Sequence, residues 1–274
     1  MNELEGKTII VTGAGRGIGR AIAREMARNG ARIALVAQTV DQIEETRTLV
    51  GNEGGVAIAV PADITDAEAV AAMIARVEKE LGAVDVLMNS AGRFNAIGPV
   101  WEIDPEDWWR DISVNLLGTM RCVRAVLPSM MRRRSGIIIN MIGGGTAGPL
   151  DYGSGYGSSK AAVMRFTETI ADELGFDSGI QVFAMDPGLV RTAMTELQLQ
   201  TQAGKKWMTK IEAMFRDHRD HPPEDAAHLA AALASGKYAA LHGRALYAGE
   251  DPDKVMLEID AIRRDALRTL RMRR

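Results

Sequence analysis

Cysteine is almost missing from this chain: Cys122 is the only one in 274 residues. An internal disulfide framework is thereby excluded, and the composition suits a reducing compartment. Long hydrophobic runs are missing too. No apolar stretch approaches the roughly 18 residues of a membrane-spanning helix, so no membrane partner is expected. The N-terminal stretch Met1-Asn2-Glu3-Leu4-Glu5-Gly6-Lys7 lacks the basic and apolar regions of a signal peptide. Nor is there an excess of one charge: the net value is -3, which leaves no field to draw in nucleic acid or anionic lipid. Internal repeats and low-complexity linkers are likewise absent. Together these absences point to a soluble, cytoplasmic protein.

What is present is an ordinary globular composition, 46% hydrophobic and 25% charged, in a length that fits one large domain. Short apolar runs at 7–12, 32–37, 56–60, 84–88, 136–139, 180–185 and 243–248 read as strands. Helical patterns alternate with them: 20–28, 40–50, 67–81, one long helix from Asp104 to about Arg134, one through Tyr156 to about Leu174, and one from Pro222 to about Ser235. Alternation of this kind predicts an α/β fold, a doubly wound parallel sheet of about seven strands with helices on both faces. A single domain is expected over residues 1–250. Residues 193–222 lack a strand pattern, and their Met194, Trp207 and Met208 suggest a substrate lid for an apolar ligand, although such residues could equally pack on the core. Residues 251–274 are charged and are expected to form a solvent-facing helical extension.

Glycine is where the polar motifs begin. Gly13-Ala14-Gly15-Arg16-Gly17-Ile18-Gly19 follows the first strand and opens the first helix. That order makes a phosphate site, because bare backbone N–H groups and a helix N-terminus face an anion. The domain is therefore Rossmann-type, with a nicotinamide dinucleotide as the expected cofactor. An acidic residue near the end of the second strand would bind the ribose hydroxyls of NAD, but Ala37, Gln38 and Thr39 stand there. Arg16 could instead pair with a 2′-phosphate, so NADP(H) is expected over NAD(H). Further polar or small residues fall just after strands: Asp63-Ile64, Asn89-Ser90-Ala91-Gly92, and Pro187-Gly188-Leu189-Val190-Arg191-Thr192. Asp63 could alternatively cap a helix, although Thr65 or Asp66 suits that role better. Clustering at the carboxyl edge of the sheet marks one continuous site.

Residues 140–160 hold the candidate chemistry. Tyr156 and Lys160 are one helical turn apart, and an ammonium beside a phenol favours phenolate and lowers a pKa that starts near ~10. Asn115, amid Val114, Leu116 and Leu117, would be costly to bury without partners. Arg132-Arg133-Arg134 complements a helix C-terminus. Asp217-His218-Arg219-Asp220-His221 lacks convergent ligands from elsewhere, so no metal site is expected.

In combination and order, Thr12-Gly13-x-x-x-Gly17-x-Gly19, Asp63, Asn89-x-Ala91-Gly92, Asn115, Tyr156-x-x-x-Lys160 and Pro187-Gly188 with Thr192 resemble the short-chain dehydrogenase/reductase family over residues 5 to 250. The resemblance implies an NAD(P)-dependent oxidoreductase interconverting a secondary alcohol and a ketone by hydride transfer. By that resemblance Tyr156 passes a proton to or from the substrate oxygen, while Lys160 lowers its pKa and binds the nicotinamide ribose. Asn115 holds a water of the proton relay, and the backbone from Pro187 to Thr192 meets the nicotinamide amide. A homodimer or homotetramer is also implied, with the helices at 109–131 and 161–174 at the interface.

One family residue is replaced. The family carries a Ser thirteen positions before the Tyr, and here that position is Gly143, preceded by Ile142. Four consequences stand open. The Gly143-Gly144-Gly145 backbone could supply N–H donors; Thr146 or Ser154 could supply a hydroxyl; the enzyme could work more slowly without that donor; or the protein could be a cofactor-binding scaffold or regulator without catalysis. A non-redox lyase or epimerase on the same fold is a further alternative.

Overall fold

The computed structural model describes residues 3–271; the outermost ends of the expected domain and extension, 1–2 and 272–274, lie outside the described residues. Seven strands form one sheet: β1 (Thr8–Thr12), β2 (Arg32–Ala37), β3 (Val56–Pro61), β4 (Val86–Asn89), β5 (Gly136–Met141), β6 (Ile180–Asp186) and β7 (Ala245–Tyr247). Their spatial order is β3-β2-β1-β4-β5-β6-β7, and every pairing is parallel. The order reverses between β1 and β4, which opens a crevice at the carboxyl edge where ligands bind in such sheets.

The strands sort their side chains by period two. Ile9, Val11, Ile33, Leu35, Val86, Met88, Ile137 and Ile139 face one apolar layer, while Ile10, Ala34, Val36, Leu87 and Ile138 face the other. Helices α1 (Gly17–Arg28), α2 (Val40–Asn52) and α3 (Ala67–Leu81) follow the first three strands. Then come α4 (Pro105–Ile112), α5 (Thr119–Arg133) and α6 (Ser154–Leu174), and later α7 (Ala193–Gln200), α8 (Gln202–Trp207), α9 (Thr209–Arg216) and α10 (Pro223–Ala234). Helices α1 and α10 cover the first layer, and α3 and α5 the second. Buried on both faces, β1, β4 and β5 are apolar throughout their middles, as parallel strands require. Among the described residues no helix is long and apolar enough to cross a membrane.

Three local differences from the sequence expectations have physical causes. Helix α1 starts at Gly17 rather than Arg20, so the glycine loop itself supplies the helix's first turn. The long helix from 104 is interrupted by a π-helical turn, Ser113–Gly118, which carries Asn115; such turns widen the coil locally and often occur at functional sites. The expected solvent-facing terminal helix is instead two short ones, α11 (Pro252–Met256) and α12 (Ile259–Arg264). Val255 and Ile262 insert into the core, and positive φ at Ala266 and Arg268 turns the tail back onto α6, where the Leu270 N–H meets Glu168 Oε1 at 2.5 Å.

Candidate active site

The loop between β1 and α1 is glycine for reasons of contact as well as conformation. A Cβ on Gly13 (φ +69°) would stand 2.8 Å from Ala91 Cα, and one on Gly19 would stand 2.2 Å from the Gly13 carbonyl oxygen. Both obstacles are backbone and cannot rotate away. The same turn is tied to β4 by Thr12 Oγ1, which accepts the N–H groups of Ser90 and Ala91 at 3.1 Å. Arg16 occupies the N-cap position of α1 without a side-chain capping bond, and no acid stands in the first turn. The helix N-terminus thus presents unsatisfied donors.

One cavity of about 640 Å³ runs from this loop along the carboxyl edge of the sheet. Tyr156, Lys160, Gly143 and the cofactor-site residues expected after β1, β2, β3 and β6 line it, apart from Arg191, as do Ala91 and Gly92. Asn115, Gly145, Thr146 and Ser154 do not. Asn89 also lies off the cavity. Its amide turns sideways to its register partner across the sheet, donating to Asn140 Oδ1 at 2.9 Å, and Asn140 donates in turn to Thr167 Oγ1 at 3.0 Å. It braces the site's floor without lining it. Asn115 spends its whole amide on structure: Oδ1 accepts the Arg93 N–H at 2.8 Å, and Nδ2 donates to the Arg93 carbonyl and to Ser159 Oγ, both at 2.9 Å. Asp63 lines the cavity, with Oδ1 accepting from the Thr65 N–H at 2.8 Å and hydroxyl at 2.7 Å. Burial raises its pKa, but those bonds and the Gln38 amide outweigh burial and hold it below the ordinary value. Asp66, not Asp63, caps α3 by accepting the Glu68 and Ala69 N–H groups.

Tyr156 and Lys160 sit in the first two turns of α6, on the cavity side. The phenol ring stacks on Phe94, with centroids 4.6 Å apart and planes at 18°. Lys160 is 3% exposed; its Nζ donates to the Met141 carbonyl at 2.9 Å and lies 5.5 Å from the Tyr156 ring centroid. Burial lowers the Lys160 pKa to about 8, with Asp186 pulling the other way. The Tyr156 phenol is pushed up, first by burial and then by the carboxylates of Asp186 and Asp111. That is opposite to the direction expected from the ammonium alone, because desolvation disfavours phenolate more than a cation over the ring face favours it.

Gly143 stands against the phenol oxygen: a Cβ there would lie 2.9 Å from Tyr156 Oη. Residues 143–146 form a turn closed by the Thr146 N–H to the Gly143 carbonyl at 3.1 Å, with Gly145 at φ +92° in its third position. Thr146 Oγ1 also donates to that carbonyl, at 2.7 Å. Ser154 Oγ accepts from Trp108 Nε1 at 3.1 Å, and neither Thr146 nor Ser154 lines the cavity. Gly153 holds the N-cap position of α6.

Beyond Tyr156 the wall is apolar: Phe94, Val114, Leu150, Met194, Ile211 and Met214. The segment expected to be a lid forms α7, α8 and α9, and Gln198 Nε2 fastens it to the Phe94 carbonyl at 2.6 Å. Met194 lines the cavity, but Met208 is buried off it and the Trp207 ring packs at a tilt on Tyr152, centroids 4.5 Å apart. His221 sits 3.2 Å from Asp225 Oδ2, and no group of three potential metal ligands occurs among the described residues. Phe94, Arg93, Asp186 and Gln198 were missed from the sequence. Phe94 and Arg93 directly follow Gly92, and Asp186 directly precedes Pro187, so adjacency to a motif was the available signal.

A family model described as short chain dehydrogenase matches residues 7–203. A short chain dehydrogenase of Pseudocercospora fijiensis is 33% identical over 267 residues, covering 94% of this chain and 85% of that protein. The oxidoreductase UcpA of Salmonella typhimurium is 36% identical over 249 residues, covering 89% of this chain and 93% of its own. Among solved structures, a variant of actinorhodin polyketide ketoreductase crystallised with NADPH superposes with a TM-score of 0.79 at 30% identity, covering 90% of this chain and 96% of that one.

Proposed function

The chain belongs to the short-chain dehydrogenase family and is an oxidoreductase of it, and from that premise we propose that it interconverts a secondary alcohol and a ketone, using NADP(H) in preference to NAD(H). The observation that carries this proposal is convergence. A half-buried Tyr156 beside a buried Lys160 and a phosphate-type glycine loop open onto the same cavity.

The residues present fit a dinucleotide. Side chains at Gly13 and Gly19 would collide with backbone, so the loop stays bare, and the α1 N-terminus carries no competing cap. In this assignment the loop from Gly13 to Gly19 binds the pyrophosphate, and Gln38, Asp63, Ile64, Ala91 and Gly92 flank the adenosine side. Lys160 holds the nicotinamide ribose, and the turn from Pro187 to Thr192, including Gly188 and Val190, meets the nicotinamide amide. Arg16 is exposed at the cavity with no ion pair among the described residues. Its exposure and the absence of a carboxylate at Ala37, Gln38 and Thr39, before Asp41 in the next helix, support the 2′-phosphate of NADP(H). The bound nicotinamide supplies or accepts the hydride.

The protein's part is the proton. Tyr156 Oη donates to the ketone oxygen in reduction and accepts from the alcohol in oxidation. Its raised pKa keeps the phenol protonated, the form that reduction needs. Lys160, buried with its pKa lowered to about 8, can exchange a proton near neutrality. Asn115 acts by holding the Arg93 backbone against Ser159 of α6.

Purified protein given NADPH and a panel of neutral ketones should consume NADPH and form alcohol. Tyr156→Phe should lower that turnover by about 10²–10⁴, the usual worth of a positioned proton donor. Undiminished turnover in Tyr156→Phe would refute the role given to the phenol, and NADPH binding without consumption would favour a scaffold. Trp109 (58% exposed) and Met131 (56% exposed) lie on the helices assigned to a homodimer or homotetramer interface. Light scattering that returns a monomer would refute that assembly.

A further inference from the structure

Charge grows on the substrate oxygen as hydride arrives at carbon, and one donor, Tyr156 Oη, is an incomplete answer to it. Gly143 offers no side chain at the position facing that oxygen. The nearby hydroxyls and amides are committed elsewhere: Thr146 Oγ1 donates to the Gly143 carbonyl, Ser154 lies off the cavity against Trp108, and the Asn115 amide is spent on Arg93 and Ser159. Of the three glycine N–H groups after β5, that of Gly143 donates to Thr146 Oγ1 at 3.3 Å and Gly145 lies off the cavity, which leaves Gly144. The Gly144 N–H has no acceptor among the described residues, Gly144 is exposed, and Gly143 and Gly144 line the cavity beside Tyr156. The turn leaves that N–H outside its own hydrogen bond, which runs from Thr146 to Gly143.

The rest of the pocket sets the chemistry of what can enter. Of the cations lining the cavity, Arg16 stands at the loop after β1, and Lys160 Nζ donates to the Met141 carbonyl. The Arg93 guanidinium is consumed by Asp111 Oδ1 at 2.6 Å and Asp107 Oδ1 at 2.7 Å, with Asp111 0% exposed. Asp186 lines the same space and would repel a substrate carboxylate. Arg191 lies off the cavity, stacked on Phe215. What remains is a mainly aromatic and aliphatic wall, in which Gln198 and Thr195 are bonded to the Phe94 and Val190 carbonyls.

We infer that the Gly144 N–H and Tyr156 Oη together hold the carbonyl oxygen of a neutral, apolar ketone, so that main chain replaces the side-chain donor that Gly143 lacks. The inference rests on the proposed ketone chemistry and is tested separately from it.

NADPH consumption is followed with α-tetralone and with phenylpyruvate, an anionic ketone, for the wild type and three variants. The wild type should favour α-tetralone by at least about tenfold in kcat/KM. Gly144→Pro removes the N–H and should lower kcat by about 10²–10³, the usual loss for one such donor, while NADPH fluorescence titration shows cofactor binding retained. Gly144→Ala keeps the N–H, its Cβ meets only Leu150 at 3.8 Å, and it should lose less than about tenfold. Should Gly144→Pro fail to fold, Gly143→Ser decides the matter. A Cβ 2.9 Å from Tyr156 Oη must push the phenol aside, so kcat should fall. A rise of about tenfold in Gly143→Ser, wild-type kcat in Gly144→Pro, or a preference for phenylpyruvate would each overturn the inference and leave the oxidoreductase proposal standing. NADPH binding without consumption of any ketone would sink both.

Discussion

Two glycine-rich turns leave the carboxyl edge of this sheet, one after β1 and one after β5, and they are glycine-rich for different reasons. In the first, side chains at Gly13 and Gly19 would strike backbone at 2.8 and 2.2 Å, so the turn has no alternative sequence without moving a strand or helix. In the second, Gly145 is of that kind, since its Cβ would lie 2.3 Å from Gly157 Cα at φ +92°. Gly143 is not. Its Cβ would meet only the end of a side chain, Tyr156 Oη at 2.9 Å. The loop after β1 is glycine because neighbouring backbone leaves no room for a side chain, whereas Gly143 borders only the end of the Tyr156 phenol. Glycine count alone does not separate a structural turn from a reactive one; the identity of the colliding atom does.

Substitutions can break this contrast, and the largest effects belong to the backbone collisions. Gly19→Ala and Gly145→Ala should each cost about 2–5 kcal/mol in urea unfolding, from overpacking plus, at Gly145, left-handed strain. Little change in either would show that the turns relax easily, and the distinction would fail. Next is the buried cation beside the second turn. Lys160 has a folded pKa of about 8, below the ordinary 10.5. Below pH 8 the folded state carries the full cost of a buried ammonium. Between pH 8 and 10.5 the unfolded chain binds the extra proton, so stability rises with pH, and above 10.5 the cost is gone. Relative to Lys160→Met, the wild type should therefore gain about 3 kcal/mol across that window, read by denaturant melts at each pH. A flat difference would place the ammonium in water.

At the first turn, Arg16→Ala should weaken NADP⁺ binding by about 10–100-fold, the worth of a charge-assisted bond, and leave NAD⁺ binding nearly untouched. Equal losses for both cofactors in titration calorimetry would remove Arg16 from the 2′-phosphate. The smallest effect is the stability of Gly143→Ala, expected to change by less than about 1 kcal/mol because a side-chain end can yield. A loss as large as that of Gly145→Ala would make Gly143 structural as well.

The sheet was legible in the sequence because buried parallel strands write themselves as β-branched runs, as in Thr8–Thr12 and Arg32–Ala37, and the helix from Ala67 to Leu81 declares itself by apolar spacing. The loop after β1 was legible because glycine is compulsory there. What escaped depends on direction in space. Asn89 follows a strand as a ligand-binding residue would, yet its side chain turns to Asn140, fifty-one positions away. Trp207 and Met208 have the hydrophobicity of a pocket wall, but Trp207 packs on Tyr152 and Met208 is buried off the cavity. Phe94 against Tyr156, and Arg93 quenched by Asp111, arise from a loop meeting two helices, which no local pattern encodes. The sign of the Tyr156 shift was missed because spacing reveals the ammonium and says nothing of burial.

The central claim is that Tyr156 passes a proton while a nicotinamide passes a hydride in the cavity between these two turns. The most direct measurement is parallel turnover of NADPH and a neutral ketone by wild type and Tyr156→Phe, with alcohol quantified against cofactor consumed. The account predicts one alcohol formed per NADPH in the wild type and a loss of about 10²–10⁴ in the variant, with NADPH affinity preserved. Equal turnover in the two proteins would contradict it.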